Sequence, residues 1–208
     1  MKNLSPFYDT FYYAISSIWP MLLLFVIIII SIRLAKLVIN KEKFVFYKDF
    51  YTLFFILYML ALYYLLLSTE NAFAYGVNLT PFKEMTRYSI GSKGFFYNVI
   101  GNIVLFIPFG FFVSYYIKAK KTHQITIIAI ITSLTAELIQ YKIGRAFDVD
   151  DIVLNVVGAL LGFLAYLGVT IIKDKLPKKL QSDVFYNILA FLVLIIIILV
   201  FYFLWGAR

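Results

Sequence analysis

Long apolar runs separated by short polar stretches organise the whole chain. Six of them approach or exceed the roughly 20 apolar residues with which a helix crosses about 30 Å of hydrocarbon. They lie at about 11–32, 50–69, 94–117, 123–141, 152–172 and 184–207. The third carries Asn98, Asn102 and Pro108, the fourth is interrupted by Glu137, and the fifth is rich in glycine. A re-entrant segment over 95–108, leaving five full crossings, is the competing reading of the third run. The first run is longer than the about 7–15-residue apolar core of a secretory signal and is not followed by a small-residue cleavage site, which predicts a retained anchor. The pattern predicts an all-α, polytopic membrane helix bundle, a single membrane domain over 1–208.

Composition narrows the class. Of 208 residues, 63% are hydrophobic and 14% charged, with a mean hydropathy of +0.91. Soluble domains are about 45–50% apolar and about 25% charged. One core of this size cannot hide so much apolar surface, and the same numbers exclude disorder. Cysteine is absent, which removes disulfides and thiolate metal sites, and the single histidine, His123, argues against a Ser-His-Asp triad. His123 follows a lysine cluster and reads as an interfacial residue. Tyrosines such as Tyr12, Tyr47, Tyr115 and Tyr141 fall near the ends of the runs, as interfacial aromatics do.

The formal charge of +8 is a topology signal here and implies no nucleic-acid partner. Cytoplasmic loops carry the excess of Lys and Arg. With six crossings, alternate segments hold twelve basic residues against seven. The richer set contains Arg33, Lys36, Lys41, Lys43 and Lys48, then Lys118, Lys120 and Lys121, then Lys173, Lys175, Lys178 and Lys179. Both termini are then extracytoplasmic. The linker 173–183, with Pro177 and clustered lysines, reads as a cytoplasmic connection.

The unusual polar residues fall on the other side. Asn78, Pro81, Phe82 and Arg87 lie in the second outer segment, and Asn98 and Asn102 open the third run. Glu137 and Gln140 end the fourth, Arg145, Asp148, Asp150 and Asp151 follow it, and Asn155 opens the fifth. Helical spacing places Asn98 with Asn102 on one face, Ser133 with Glu137 and Gln140 on another, and Asp151 with Asn155, Gly158 and Gly162 on a third. Gly158 and Gly162 form a GxxxG pair that admits close helix approach. Alternatively, that face is an interface for another membrane protein. The short connection between the fourth and fifth runs predicts an antiparallel pair that brings Glu137 and Gln140 near Asp151 and Asn155. Pro108 is expected to kink its helix.

A carboxylate inside a span costs about 2.5–3.5 kcal/mol on insertion scales, so Glu137 is expected to face the bundle interior with a partner. Arg145 is the nearest candidate, since a guanidinium grips a carboxylate through paired hydrogen bonds. Two outcomes stay open: Glu137, Arg145 and Asp148 closing into an ionic knot, or Arg145 partly free to hold a phosphate or carboxylate. Asp151 stands where a helix N-cap is expected. Glu137, Asp148 and Asp151 are oxygen donors of the type a divalent cation takes, but no metal or other cofactor is assigned.

The stretches Asn78-Leu79-Thr80-Pro81-Phe82, Asn98 to Gly110, Glu137-Leu138-Ile139-Gln140, Gly144 to Asp151 and Asn155-Val156-Val157-Gly158 occur in an order that resembles the VanZ-like family of bacterial membrane proteins. The resemblance covers about 70–172. Thr80 replaces the larger aliphatic residue frequent in that motif, and the first two runs and the last match only in hydropathy. The resemblance implies a bacterial plasma-membrane protein connected with resistance to teicoplanin, a glycopeptide antibiotic with an acyl tail. It implies no particular enzymatic activity.

Two functional classes follow. In the first, a polar outer-leaflet pocket built from Asn78, Asn102, Glu137, Gln140, Arg145, Asp148, Asp151 and Asn155 binds a membrane lipid headgroup or a lipidated glycopeptide. In the second, the protein is an intramembrane enzyme acting on a lipid or cell-envelope precursor, with Glu137 as general acid or base. The sequence does not specify the oligomeric state.

Overall fold

The computed structural model describes residues 5–67 and 76–206. Its α-helices are α1 (Ser5–Ile39), α2 (Phe46–Leu67), α3 (Gly101–Ile117), α4 (Thr122–Lys142), α5 (Val149–Lys175) and α6 (Asp183–Gly206). A π-helical turn, Phe95–Ile100, runs directly into α3. Two short strands, β1 (Val77–Asn78) and β2 (Phe147–Asp148), pair in parallel, with Val77 opposite Phe147 and Asn78 opposite Asp148.

Among the described residues, five segments have the length and apolarity to cross a membrane: Ser16–Ile39, Phe46–Leu66, Phe95–Ile117, Thr122–Lys142 and Val149–Lys175. Helix α6 adds the apolar stretch Asp183–Leu199. This is the architecture of an integral membrane protein with five to six spans. The third run is continuous helix from Phe95 to Ile117 and passes through Pro108, so the re-entrant reading is set aside. Lys118, in the left-handed region at φ 51°, ends α3, and its N–H bonds the carbonyl of Ser114. The Gln124 side chain then accepts the N–H groups of Lys120 and Lys121 at 3.0 and 3.1 Å, satisfying donors at the start of α4.

The chain packs as two units, Met1–Leu60 with Ile172–Arg208, and Ala61–Ile171. In the first unit, Arg33 is paired with both Glu42 and Asp49 across the turn between α1 and α2. The Arg33 guanidinium holds the Glu42 carboxyl below its usual range. The N–H of Tyr47, in the first turn of α2, donates to Asn187 Oδ1 at 2.9 Å, and Phe46 stacks on Phe191 at 4.0 Å.

In the second unit, glycines decide the packing. A Cβ on Gly158 would collide with the carbonyl oxygen of Ile103, one on Gly162 with that of Ile107, and one on Gly110 with that of Ala159. The backbones of α3 and α5 are therefore in direct contact. Between helices in lipid, such close packing replaces the hydrophobic driving force available in water. Gly158 and Gly162 are used inside the unit, which weakens the reading in which this pair meets another membrane protein. Phe106, Phe109, Phe112, Ile125, Ala129 and Phe163 are buried around this contact.

Candidate functional site: a polar cap at one end of the helices

Every buried residue on α4 falls on one stripe: Ile125, Ala129, Ser133, Glu137 and Gln140. The stripe changes from apolar to polar as it approaches the end of the helix. Leu154, Asn155, Gly158, Ala159, Gly162 and Phe163 form the matching stripe on α5, and Asn155 Nδ2 donates to Ser133 Oγ at 2.8 Å. Asn155 Oδ1 is buried without a partner. Glu137 is only 2% exposed, and its Oε2 accepts the backbone N–H of Asp148 at 2.9 Å.

The acidic run is divided among three tasks. Asp148 Oδ1 accepts the N–H of Asp150 at 2.9 Å and the side-chain amide of Asn78 at 2.8 Å. Because α5 begins at Val149, the capping side chain is Asp148. Asp151 lies one turn too far along to be the N-cap expected from sequence. It instead accepts from Asn102 Nδ2 at 2.6 Å and so bonds α5 to α3. Asp150, 1% exposed, accepts three backbone N–H groups from the strap 79–87: Phe82 at 2.5 Å, Glu84 at 2.8 Å and Met85 at 3.1 Å. Those charge-assisted bonds hold Phe82 at φ 68°, a conformation that costs a bulky residue about 1–2 kcal/mol.

Arg145 lies where this cap meets the end of α2. Its backbone N–H bonds the Gln140 carbonyl at 3.0 Å, and Gly144, at φ 92°, makes the turn. Its NH1 donates to the carbonyl of Leu66 at 2.9 Å, which Gln140 Nε2 also reaches at 2.6 Å. The Leu66 carbonyl, next to the last described residue of α2, therefore accepts from both side chains. Among the described residues Arg145 has no carboxylate within ion-pair distance, and the ion pairs present are those of Arg33 and Arg87. The expected knot of Glu137, Arg145 and Asp148 does not form, because both carboxylates are committed to N–H donors of the cap. One NH1 bond leaves most of the five guanidinium donors without a hydrogen bond among the described residues.

Of the sequence-selected residues, Asn78, Asp148 and Glu137 share one bonded set, Gln140 and Arg145 meet at the Leu66 carbonyl, and Asn102 with Asp151 and Asn155 with Ser133 form separate pairs. Asn98 stands apart. It is exposed and bonds its own helix at the Gly94 carbonyl, 3.0 Å away. The π turn ending at Ile100 interrupts the α-helical period on which a face shared with Asn102 depends. Among the described residues no three carboxylates or imidazoles, Glu137, Asp148 and Asp151 included, converge as metal ligands. Sequence reasoning named Asp150 in the polar cluster but left it out of the pocket. Its signal was an extra carboxylate beside a cap residue and opposite a loop rich in unpaired amides.

The fold and this cap define a polytopic helical membrane protein whose polar residues are gathered at one end of the second unit. The chain matches the VanZ/LLP1 family model over residues 53–173. It is 32% identical over 143 residues to Protein VanZ of Enterococcus faecium, an alignment that takes in 68% of this chain and 82% of that protein. The chain belongs to the VanZ/LLP1 family. No solved structure matches it.

Proposed function

We propose that the protein contributes to resistance against teicoplanin and related lipoglycopeptides by binding an acylated anion at the polar cap. The orientation read from the basic residues puts the cap at the outer leaflet of a bacterial plasma membrane, with both termini outside. The ligand is a lipid headgroup or the polar part of a lipidated glycopeptide. Its acyl chain lies against apolar helix faces, where each buried methylene contributes about 0.8 kcal/mol. Asn78, Asn102, Gln140, Asp148, Asp151 and Asn155 shape and stiffen the site around Arg145, and Glu137 orients the loop that carries it.

One observation carries the reading. Four carboxylates stand near Arg145 in sequence, yet each accepts from other donors, and among the described residues the guanidinium donates only through NH1. A cation left in that state beside a membrane surface is suited to a phosphate or carboxylate, which takes paired N–H donors. The enzymatic reading has no comparable support, because the Glu137 carboxylate is tied to the Asp148 backbone.

The test separates binding from helix capping. Arg145→Gln keeps a donor for Leu66 and loses the charge. Cells carrying it at wild-type membrane abundance are expected to lose teicoplanin protection, while Arg145→Lys keeps part of it. Full protection by Arg145→Gln at equal abundance would remove the anion site.

A further inference from the structure

The strap 79–87 and the turn that follows expose large apolar side chains in a segment that is not itself a span. Leu79 is 70% exposed, Phe82 59% and Ile90 90%. The strap is close to the span ends: Asn78 opposes Asp148 one residue before α5 begins, and the third span starts at Phe95. Arg87 pairs with Glu84, the acidic residue of this stretch, which leaves Lys83 and Lys93 as the net positive charge beside the apolar residues. The display is enforced. Asp150 gathers the amides of Phe82, Glu84 and Met85, and this fixes Phe82 in the left-handed region with its ring exposed. A turn that needed only φ 68° would be made more easily by glycine. An aromatic ring at this position therefore points to something that the ring contacts.

We infer that the strap is a membrane-interface anchor: Leu79, Phe82 and Ile90 enter the headgroup–acyl boundary of the adjacent leaflet, and Lys83 and Lys93 meet anionic lipid headgroups. Apolar side chains set beside basic ones are the composition that binds an anionic bilayer surface. Asp150 is the positioning residue, acting through the strap backbone. This goes beyond the ligand proposal and does not need it; it rests on the membrane-spanning architecture.

The experiment places a single tryptophan at position 82. Trp19→Phe and Trp205→Phe remove the native fluorophores, and Phe82→Trp reports from the strap in vesicles of phosphatidylcholine and phosphatidylglycerol. Blue-shifted emission, quenched by acyl-brominated lipid and shielded from aqueous acrylamide, is expected. Adding Asp150→Asn, which exchanges one acceptor oxygen for an amide donor, should shift the emission to the red. Phe82→Gly guards against misfolding: it fits the same backbone, so the protein should keep its thermal stability while an Ile90→Trp reporter beside it loses part of its bromolipid quenching. Emission at the wavelength of water-exposed tryptophan, quenched by acrylamide and indifferent to bromolipid, would overturn the anchor. So would shielding that depends on protein-to-lipid ratio and not on bromine, which would mean that straps contact each other.

Discussion

Asp150 shows how unevenly four neighbouring acidic residues can be used. Asp148 caps α5, Asp150 holds the strap, Asp151 ties α5 to α3, and Glu137 receives the loop backbone. Hydrogen bonds to a charged group contribute about 1.5–3 kcal/mol each. Asp150→Asn, which leaves at least one strap N–H facing a donor, is therefore expected to lower stability by about 3 kcal/mol or more on the same scale, measured as thermal unfolding in detergent. The Ser133–Asn155 bond is a smaller matter. Interhelical polar pairs in membranes average about 0.6 kcal/mol with a maximum near about 1.7. A double-mutant cycle with Ser133→Ala and Asn155→Ala should return a coupling in that range. Residue types were readable from the sequence: the eight selected positions are all in or beside the cap. Who bonds whom was not, because Asp150 finds its partners in a loop more than sixty residues earlier.

At the scale of elements, hydropathy located α3 with the turn that precedes it, and α4 to α6, to within a few residues, since a span is defined by its own composition, while α1 runs on to Ile39, seven residues past the apolar run. The π turn at Phe95–Ile100 and the parallel bridge between β1 and β2 left no such trace. Both are short and depend on a partner strand or on the adjoining helix. The glycines were readable as a packing motif, but not as to which helix they meet. Gly158→Ala and Gly162→Ala each place a methyl against a carbonyl of α3 and are expected to destabilise by several kcal/mol, at or above the range of about 1–3 kcal/mol typical of overpacked cores. Gly168, on the same helix α5, has nothing within 4 Å of its Cβ position. Gly168→Ala is expected to be neutral or stabilising by up to about 1 kcal/mol. Heat-induced aggregation of the three variants in one detergent distinguishes these outcomes. Equal losses at all three sites would mean that the close contact of α3 and α5 contributes nothing.

For the whole molecule, sequence composition established the membrane class, and the family match confirms a VanZ-like protein. Orientation rests on the distribution of basic residues and is open to direct test. The chain has no cysteine, so single-cysteine variants are free of background labelling. In intact cells, Lys83→Cys is expected to react with a membrane-impermeant maleimide, and Lys43→Cys and Lys178→Cys only after the membrane is opened. The reverse pattern would put the cap at the cytoplasmic leaflet.

Among the described residues the Arg145 guanidinium makes one hydrogen bond, through NH1, and its other donors are the proposed anion contacts. The most direct measurement is native mass spectrometry of protein released from mild detergent, comparing wild type with Arg145→Gln. Wild-type protein should retain an anionic lipid or added teicoplanin that the variant sheds, with neutral lipid unchanged. Equal retention of the anionic species by both, in equally folded protein, would contradict the anion site.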